Sequence, residues 1–525
     1  MDQRKAWKMM WRKLSAAGAS VAALLLLAAC AGEGATTSTD PDRPLKVVGQ
    51  FELHSLDPST SGGFFTRLQV AETLVDADIN GALQPGLASR WDVDPGGLSW
   101  RFSLRKDASF HDGTPVTAAA VAAALQTAKT KAGTPLSEVP VKAIAADGGA
   151  VRVDLAKPYA PLPAVLAHTS TQILAPSSYG ADRTVTSVVG SGPYRIKRLE
   201  QPADVDLVAF DEWQGKKPAI TEVSYQAVGR AESRALMAES GQSDVTFGMD
   251  PTSLQRLKQS GKLTVKDVTL PRTILLKVNA GHRILKDRGV RQALSMALDR
   301  ESMATALLRD PEMAATQLFP PSLPEWHQDS VAPLQHDLEA AKELLAKAGW
   351  QAGGDGMLER DGKKFSVTLR TFPDRPELPI LATAIQAKLK ELGITLNVKV
   401  GNSSEIPAGH QDGSLELGLY ARNYALVPDA LVTLAGDFGA DGADYGAMGW
   451  NDPTLTSTLN TMASGSDPEG LQEGRRQVAE ILQRDLPVIP VAWYRQSAVV
   501  SKRVDGLELD PLERSWRLTE LTWTK

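Results

Sequence analysis

One stretch near the middle of the chain does most to fix the fold class. Phe365–Phe372 (FSVTLRTF) alternates as a strand does, and Glu377–Gly393 (ELPILATAIQAKLKELG) carries apolar residues at helical spacing and stops on a glycine. Ile394–Val400 (ITLNVKV) then returns to strand. A strand, a helix and a second strand at this spacing form a crossover unit, the signature of a parallel α/β layer.

The flanking segments extend this reading. Pro44–Phe51 (PLKVVGQF) reads as a first strand and Phe64–Asp78 (FFTRLQVAETLVDAD) as a helix, with Leu68, Ala71, Leu74 and Val75 at core spacing. In LSWRFSLRK, Trp100, Phe102 and Leu104 alternate with Ser99, Arg101 and Ser103, a half-buried strand. Asp112-Gly113 makes a turn, Thr117 caps an alanine-rich helix running to Leu125, and GAVRVDL is a further strand. Gly190–Glu200 (GSGPYRIKRLE) is a glycine–proline turn opening a strand. Later come two helical segments in GVRQALSMALDRESMATALL, the second capped by Asp299, and a helix capped at Asp337 and stopped by Gly349. LELGLYA is a strand, and a helix over Leu471–Leu486 runs into PVIPVAWY. No repeat and no interior linker interrupts the chain. About 480 residues exceed what one core organises, so at least two interwoven lobes are expected.

The chain carries a single cysteine, Cys30. One thiol builds neither an intramolecular disulfide nor a zinc site. Upstream of it stand Arg4, Lys5, Lys8, Arg12 and Lys13, then the apolar run Val21–Ala29, too short for the roughly 20 apolar residues of a bilayer span. This is a secretory signal, residues 1–29. Leu27-Ala28-Ala29-Cys30 resembles the lipobox of bacterial lipoproteins, which implies acylation of Cys30 and cleavage before it; two acyl chains anchor stably where one does not. Residues 30–45, small and polar, read as a flexible tether. The first thirty residues hold five basic groups and one acid, so of the −5 on the whole chain the mature part carries −9, which disfavours nucleic acid as a partner.

Catalytic signatures are missing. His111-Asp112 has no nucleophile motif beside it and reads as a polar turn. Gly190, Gly192 and Pro193 match neither a dinucleotide fingerprint nor a Walker pattern. No two of the seven histidines lie three or four residues apart, so there is no zincin-like helix. The reading is of a non-enzyme without cofactor or metal; the rival from another class, a surface-anchored hydrolase, requires a nucleophile–base pair.

Taken in order, Leu56–Pro58, Ala71–Trp91, Gly97–Ala118, GSGPYRI, VRQALSMALDR, AAKELLAKAGW and DLPVIPVAWY closely resemble the family 5 solute-binding proteins, extracytoplasmic receptors of peptide and nickel importers powered by an ATP-binding cassette. The likeness covers residues 46–525. It implies a periplasmic-binding-protein-like α/β clamshell of two lobes joined by crossing strands: lobe I about 46–280 and 490–525, with an extra subdomain about 80–190, and lobe II about 281–489. It also implies a monomer that closes on a small solute and partners a permease and its ATPase.

Peptide receptors of the family often place an aspartate before Asp-Pro for the ligand's amine; here Tyr424 falls at the aspartate and Val427-Pro428 at the dipeptide, with Asp429 just beyond. Nickel-chelate receptors use an arginine before APS, where this chain has Gln172. A later loop histidine of those receptors has no counterpart in LAGDFGADGADYG. The expected cleft residues are Phe64, Phe65, Gln172, Arg422, Tyr424, Trp493 and Arg495; in an alternating strand Trp493 and Arg495 share one face and Tyr494 takes the other. Arg422 and Arg495, together with the missing aspartate, point to a ligand that presents a carboxylate or another anionic or acceptor-rich group, for instance with a blocked amine; the expected solute is a peptide or peptide-like molecule, with a metal chelate as the alternative. The Cys30→Ser variant is expected to leave membranes while binding solute normally. Fractionation checks this, and a membrane-bound, normally processed variant refutes the anchor.

Overall fold

The computed structural model describes residues 43–440 and 442–524; Cys30, the signal and most of the tether lie outside the described residues. A ten-stranded sheet organises the molecule. In chain order its strands are β1 (Leu45–Gly49), β2 (Tyr194–Glu200), β3 (Asp204–Ala209), β4 (Glu222–Ala227), β5 (Val245–Phe247), β6 (Leu263–Val278), β7 (Ser366–Thr371), β8 (Thr395–Val400), β9 (Leu417–Asn423) and β10 (Val488–Ser501). Across the sheet they run β8-β7-β9-β6-β10-β5-β1-β4-β3-β2. As the crossover unit requires, β7 and β8 pair in parallel, Ser366 opposite Thr395, with helix Glu377–Glu391 between them in sequence.

β6 and β10 are far longer than the usual five or six residues. At about 3.3 Å per residue each spans about 45–50 Å, enough to reach two cores. Ile274–Val278 and Val488–Ala492 sit in one hydrophobic core with helices of the second half of the chain. Ala498 and Val500, at the far end of β10, sit in another core with Leu45, Val47, Phe64 and Trp516. These are the two lobes and their crossing strands. A third core, from Leu74 to Ala175, belongs to the extra subdomain, where Phe102, Val151 and Val153 of the four-stranded sheet meet Val121 and Leu125 of helix Ala118–Lys129. The subdomain touches the second lobe as well: Ala160 donates its N–H to the Ala463 carbonyl at 2.9 Å.

The caps read from sequence form. Thr117, Asp299 and Asp337 accept the N–H groups of Ala120, Ser302 and Ala340 at 3.2, 3.1 and 2.9 Å, and Gly349 ends its helix at φ 84°. The long helix expected from Phe64 does not form. It ends at Arg67, because Gln69 takes φ 55° and the amides of Val70 and Ala71 turn back to the Phe65 carbonyl. The glycines of GSGP explain the break: a Cβ on Gly190 would stand 2.0 Å from the Val70 carbonyl oxygen, and one on Gly192 2.2 Å from that of Gln69. Close backbone approach is their use. His111 and Asp112 form the polar turn; the His111 ring bonds the Gly192 carbonyl at 2.9 Å, and Asp112 binds the amide and hydroxyl of Thr114.

One buried charge in the second lobe has a pH signature. Lys277 on β6 is fully buried, donates to the Asp444 carbonyl at 2.6 Å and bonds Nδ1 of His410. Burial pushes Lys277 down to about 7 and also lowers His410, against which Lys277 adds its own repulsion. The unfolded lysine binds its proton near 10.4, so from there down to about pH 7 the unfolded chain holds the extra proton and stability falls as pH falls. Urea denaturation of the native chain between pH 7 and 10 should show stability climbing with pH, by up to about 1.4 kcal/mol per unit from this group; Lys277→Met should remove that slope, and an unchanged slope contradicts the assignment.

Candidate binding cleft

Pro271 interrupts β6. It has no N–H for the ladder, and the register against β10 shifts there: Leu270 faces Tyr494 and Thr273 faces Trp493, leaving Pro271 and Arg272 as extra residues. On its other edge Arg272 still faces Asn423 of β9. Beside the bulge lies a cleft between the lobes of about 260 Å³; Arg272 is buried behind its wall, paired with Glu513 and lying over the Tyr494 ring. The walls of the cleft include Gln50 and Phe51 after β1, Phe247 to Met249 at the end of β5, Leu308, Arg309, Asp310 and Met313 of the second lobe, and Trp493 to Ser497 of β10. Chain segments leaving the carboxyl ends of parallel strands are where open α/β sheets usually bind ligands.

A charged cluster occupies the cleft. Arg67 ends the short helix after β1, Arg375 stands in the loop after β7, and Glu513 comes from the C-terminal segment. The buried carboxylate of Glu513 pairs with Arg272 and accepts from Asn423 Nδ2 at 2.8 Å, while its carbonyl accepts from Arg67 Nε at 2.9 Å. Tyr494 lies between two guanidiniums, those of Arg272 and Arg375, each 5.1 Å from its ring centre, and its hydroxyl accepts from Arg375 Nη1 at 2.8 Å. Burial lowers Arg272 to about 10 and raises Tyr494 to about 12. Burial alone would raise Glu513, but Arg272, Arg375 and Arg67 hold its carboxyl below the ordinary value. Glu513 itself sits at φ 56° in a turn built by Asp510, whose carboxylate accepts the amides of Leu512, Arg514 and Ser515, each at 2.9 Å.

The residues named from sequence fall in different places. Trp493 and Arg495 line the cleft. Both lie on the sheet face opposite Tyr494: Trp493 Nε1 donates to the Gln317 carbonyl at 3.2 Å, and Arg495 is held by Asp310 at 2.5 Å and Glu312 at 3.3 Å. Phe64 and Phe65 are core, 2% and 0% exposed, with Phe64 edge-on to Tyr225 and Trp516; they begin the helix but make no cleft wall. Arg422 is spent in a fork to buried Asp437, two bonds of 2.7 Å, and does not line the cleft. Tyr424 is buried edge-on to Phe319. Asp429 caps its own helix at Leu431. Gln172 is buried, its amide atoms without a protein partner, and is likewise outside the cleft wall. Sequence reasoning missed Arg67, Arg272, Arg375 and Glu513. Only a proline inside an otherwise regular strand marks Arg272; Arg375 could be suspected from its loop after a parallel strand; Glu513 leaves no local trace. Among the described residues no three His, Cys, Asp or Glu side chains are grouped to hold a metal, and no helix is long and apolar enough to cross a membrane.

Residues 82–444 match the profile of the bacterial extracellular solute-binding proteins, family 5. The chain is a family 5 solute-binding protein. Its relatives bear this out across almost the whole length. It is 25% identical over 480 residues to the nickel-binding periplasmic protein of Escherichia coli K12, covering 89% of this chain and 91% of the relative. It is 27% identical over 439 residues to a probable D,D-dipeptide-binding periplasmic protein of the same organism, covering 81% and 82%. The solved structure of NikA from Brucella suis in complex with Fe(III)-EDTA superposes with a TM-score of 0.83 at 24% identity, covering 92% of this chain and all of that one. The two-lobed architecture is therefore the family's, and the family is one of binding proteins that work outside the cytoplasm.

In this solute-binding protein Asp510 is the residue that shapes the turn presenting Glu513. Asp510→Ala strips three amides of a charged acceptor, and charge-assisted bonds are worth about 1.5–3 kcal/mol each before water replaces them. The expected loss is about 2–4 kcal/mol in chemical denaturation; a loss below about 0.5 kcal/mol means the turn holds without it.

Proposed function

We propose that this protein is the lipid-anchored receptor of an ABC importer, capturing a peptide or peptide-like solute through its carboxylate and delivering it to a permease and its ATPase. The observation that carries this reading is the arginine cluster on the cleft. Neither Arg67 nor Arg375 is ion-paired to a carboxylate among the described residues, and Arg375 spends one donor on Tyr494. An arginine fork matches a carboxylate in a bidentate way. The amine-reading position of peptide receptors carries no acid here: Tyr424 is buried there, and Asp429 just beyond is a helix cap. A solute with a blocked or absent amine fits best. Phe51, Trp516 and Met249 supply the apolar wall that small-molecule sites usually have.

A preformed metal chelate is the second reading, favoured by the nickel-binding relative. Its carboxylates would meet the same arginines, and the metal would arrive already ligated. The Cys30 anchor and the tether place the receptor at the outer face of the membrane.

A thermal-shift screen against N-acetylated and free dipeptides, nickel with histidine, and sugars tests the proposal. A bound ligand at a hundredfold excess over Kd stabilises by about 2.7 kcal/mol. Arg375→Ala should weaken the best binder by about ten- to a hundredfold. Turnover of the ligand sinks the receptor reading; a cationic best ligand, or less than threefold weakening, sinks the arginine cleft.

A further inference from the structure

One acid of the cleft wall has no partner inside the protein. Glu377 is the first residue of helix Glu377–Glu391, two places after Arg375, and it lines the cleft while only 9% exposed. Its Oε1 has no hydrogen-bond partner, and among the described residues no cation pairs with it. It does not close its own helix either: no side chain caps that N-terminus, and the Leu378 amide is taken by the Arg375 carbonyl at 3.1 Å. Arg375 and Tyr494 lie near enough to feel the carboxylate, but Arg375 donates to the Tyr494 hydroxyl. The other acids of the wall are engaged: Glu513 with Arg272 and Asn423, Asp510 with backbone amides, Glu508 with Arg517, and Asp310 and Asp267 with Arg495. A buried carboxylate without a donor is costly, and a wall that keeps one is prepared for a donor that arrives with the solute.

We propose that Glu377 is a specificity-determining residue of the cleft: it accepts the amide N–H of the solute residue whose terminal carboxylate is held by Arg375. The inference deepens the carboxylate-receptor reading above and rests on it. The two readers stand two residues apart, and in a peptide the N–H nearest the terminal carboxylate is the amide of that same residue. A free amine lies at least one Cα–Cα step, about 3.8 Å, further away. A neutral N–H also suits the place better than an ammonium, which would meet the like charges of Arg375 and Arg67 in a partly dry site. An ester oxygen in the amide's place sets acceptor against acceptor, and a site built to bind an N–H rejects the analogue that lacks it.

Two probes differ in that one group: N-acetyl-alanyl-alanine, and N-acetyl-alanyl-lactate, whose ester oxygen replaces the N–H beside the carboxylate. Both are titrated calorimetrically into the full chain in detergent, with free alanyl-alanine as a third. The native receptor should bind the amide at least about tenfold more tightly than the ester, the lower end of what a charge-assisted bond contributes; a smaller ratio overturns the proposal, and this measurement needs no variant. Glu377→Met, of similar length and without an acceptor, should weaken the amide and bring the two probes to within about threefold of each other. A wider ratio in that variant overturns the proposal, because a merely structural role for Glu377 would weaken both probes alike. Free alanyl-alanine that binds the native chain more tightly than the acetylated dipeptide, and loses that advantage in Glu377→Met, assigns the carboxylate to an ammonium and overturns the amide assignment. Failure of both carboxylate probes to bind at millimolar concentration, or amide binding indifferent to Arg375→Ala, overturns the solute class and the Glu377 assignment with it. A wrong Glu377 assignment alone leaves the Arg375→Ala effect in place, so the two failures are distinguishable.

Discussion

β6 and β10 pair antiparallel from Leu263 opposite Ser501 to Lys277 opposite Val488, and the rest of the molecule hangs on that ladder. Its two ends are buried in different cores, so neither lobe can complete its hydrophobic interior without a stretch of backbone that also belongs to the other. The only irregularities along it are where the register slips, between Leu270 and Thr273 and between Ile274 and Leu275, close to where the cores meet. A shared two-strand ladder transmits the orientation of one lobe to the other, and a bulge within it is the natural place for a bend and for a re-aimed side chain.

The protein uses arginine in two physically distinct ways. Arg234, Arg291 and Arg300 are buried and donate to backbone carbonyls at loop and helix ends: Arg300 to Pro490 at 2.8 Å and Ser295 at 3.0 Å, Arg291 to Asp485 at 2.9 Å, Arg234 to Phe247 at 3.1 Å. Their donors are consumed, and burial without a counter-ion pushes Arg300 down to about 9. The cleft arginines are the opposite case. Burial weighs on all of them and lowers Arg67 and Arg272, while Tyr494, Glu513 and Glu377 hold Arg375 above its ordinary value, and Arg272 keeps Nε and Nη1 without a protein acceptor.

Elements whose identity depends on local pattern were legible from the sequence: the β7–helix–β8 crossover, the strand at Leu417, the caps at Thr117, Asp299 and Asp337, and the glycine stops, because alternation, helical spacing and capping side chains act within a few residues. The assignment to a two-lobed receptor was legible as well, from the order of many weak motifs. The cleft was not. Arg422 and Arg495 have the chemistry of ligand residues, yet Asp437, fifteen residues on in sequence, and Asp310, on a remote segment, reach them first. Phe64 and Phe65 begin the expected helix, but its turn, truncated by the approach of Gly190 and Gly192, packs both rings into the lobe I core. Arg67, Arg375 and Glu513 are hundreds of residues apart in places, and what makes them a site is convergence on one cleft through the sheet order, with Arg272 of the Pro271 bulge buried behind Glu513. Local propensity and capping are short-range and are written in sequence; the partner a buried charge finds is settled by desolvation and by which segments the fold brings within hydrogen-bond reach, and that only the tertiary structure decides.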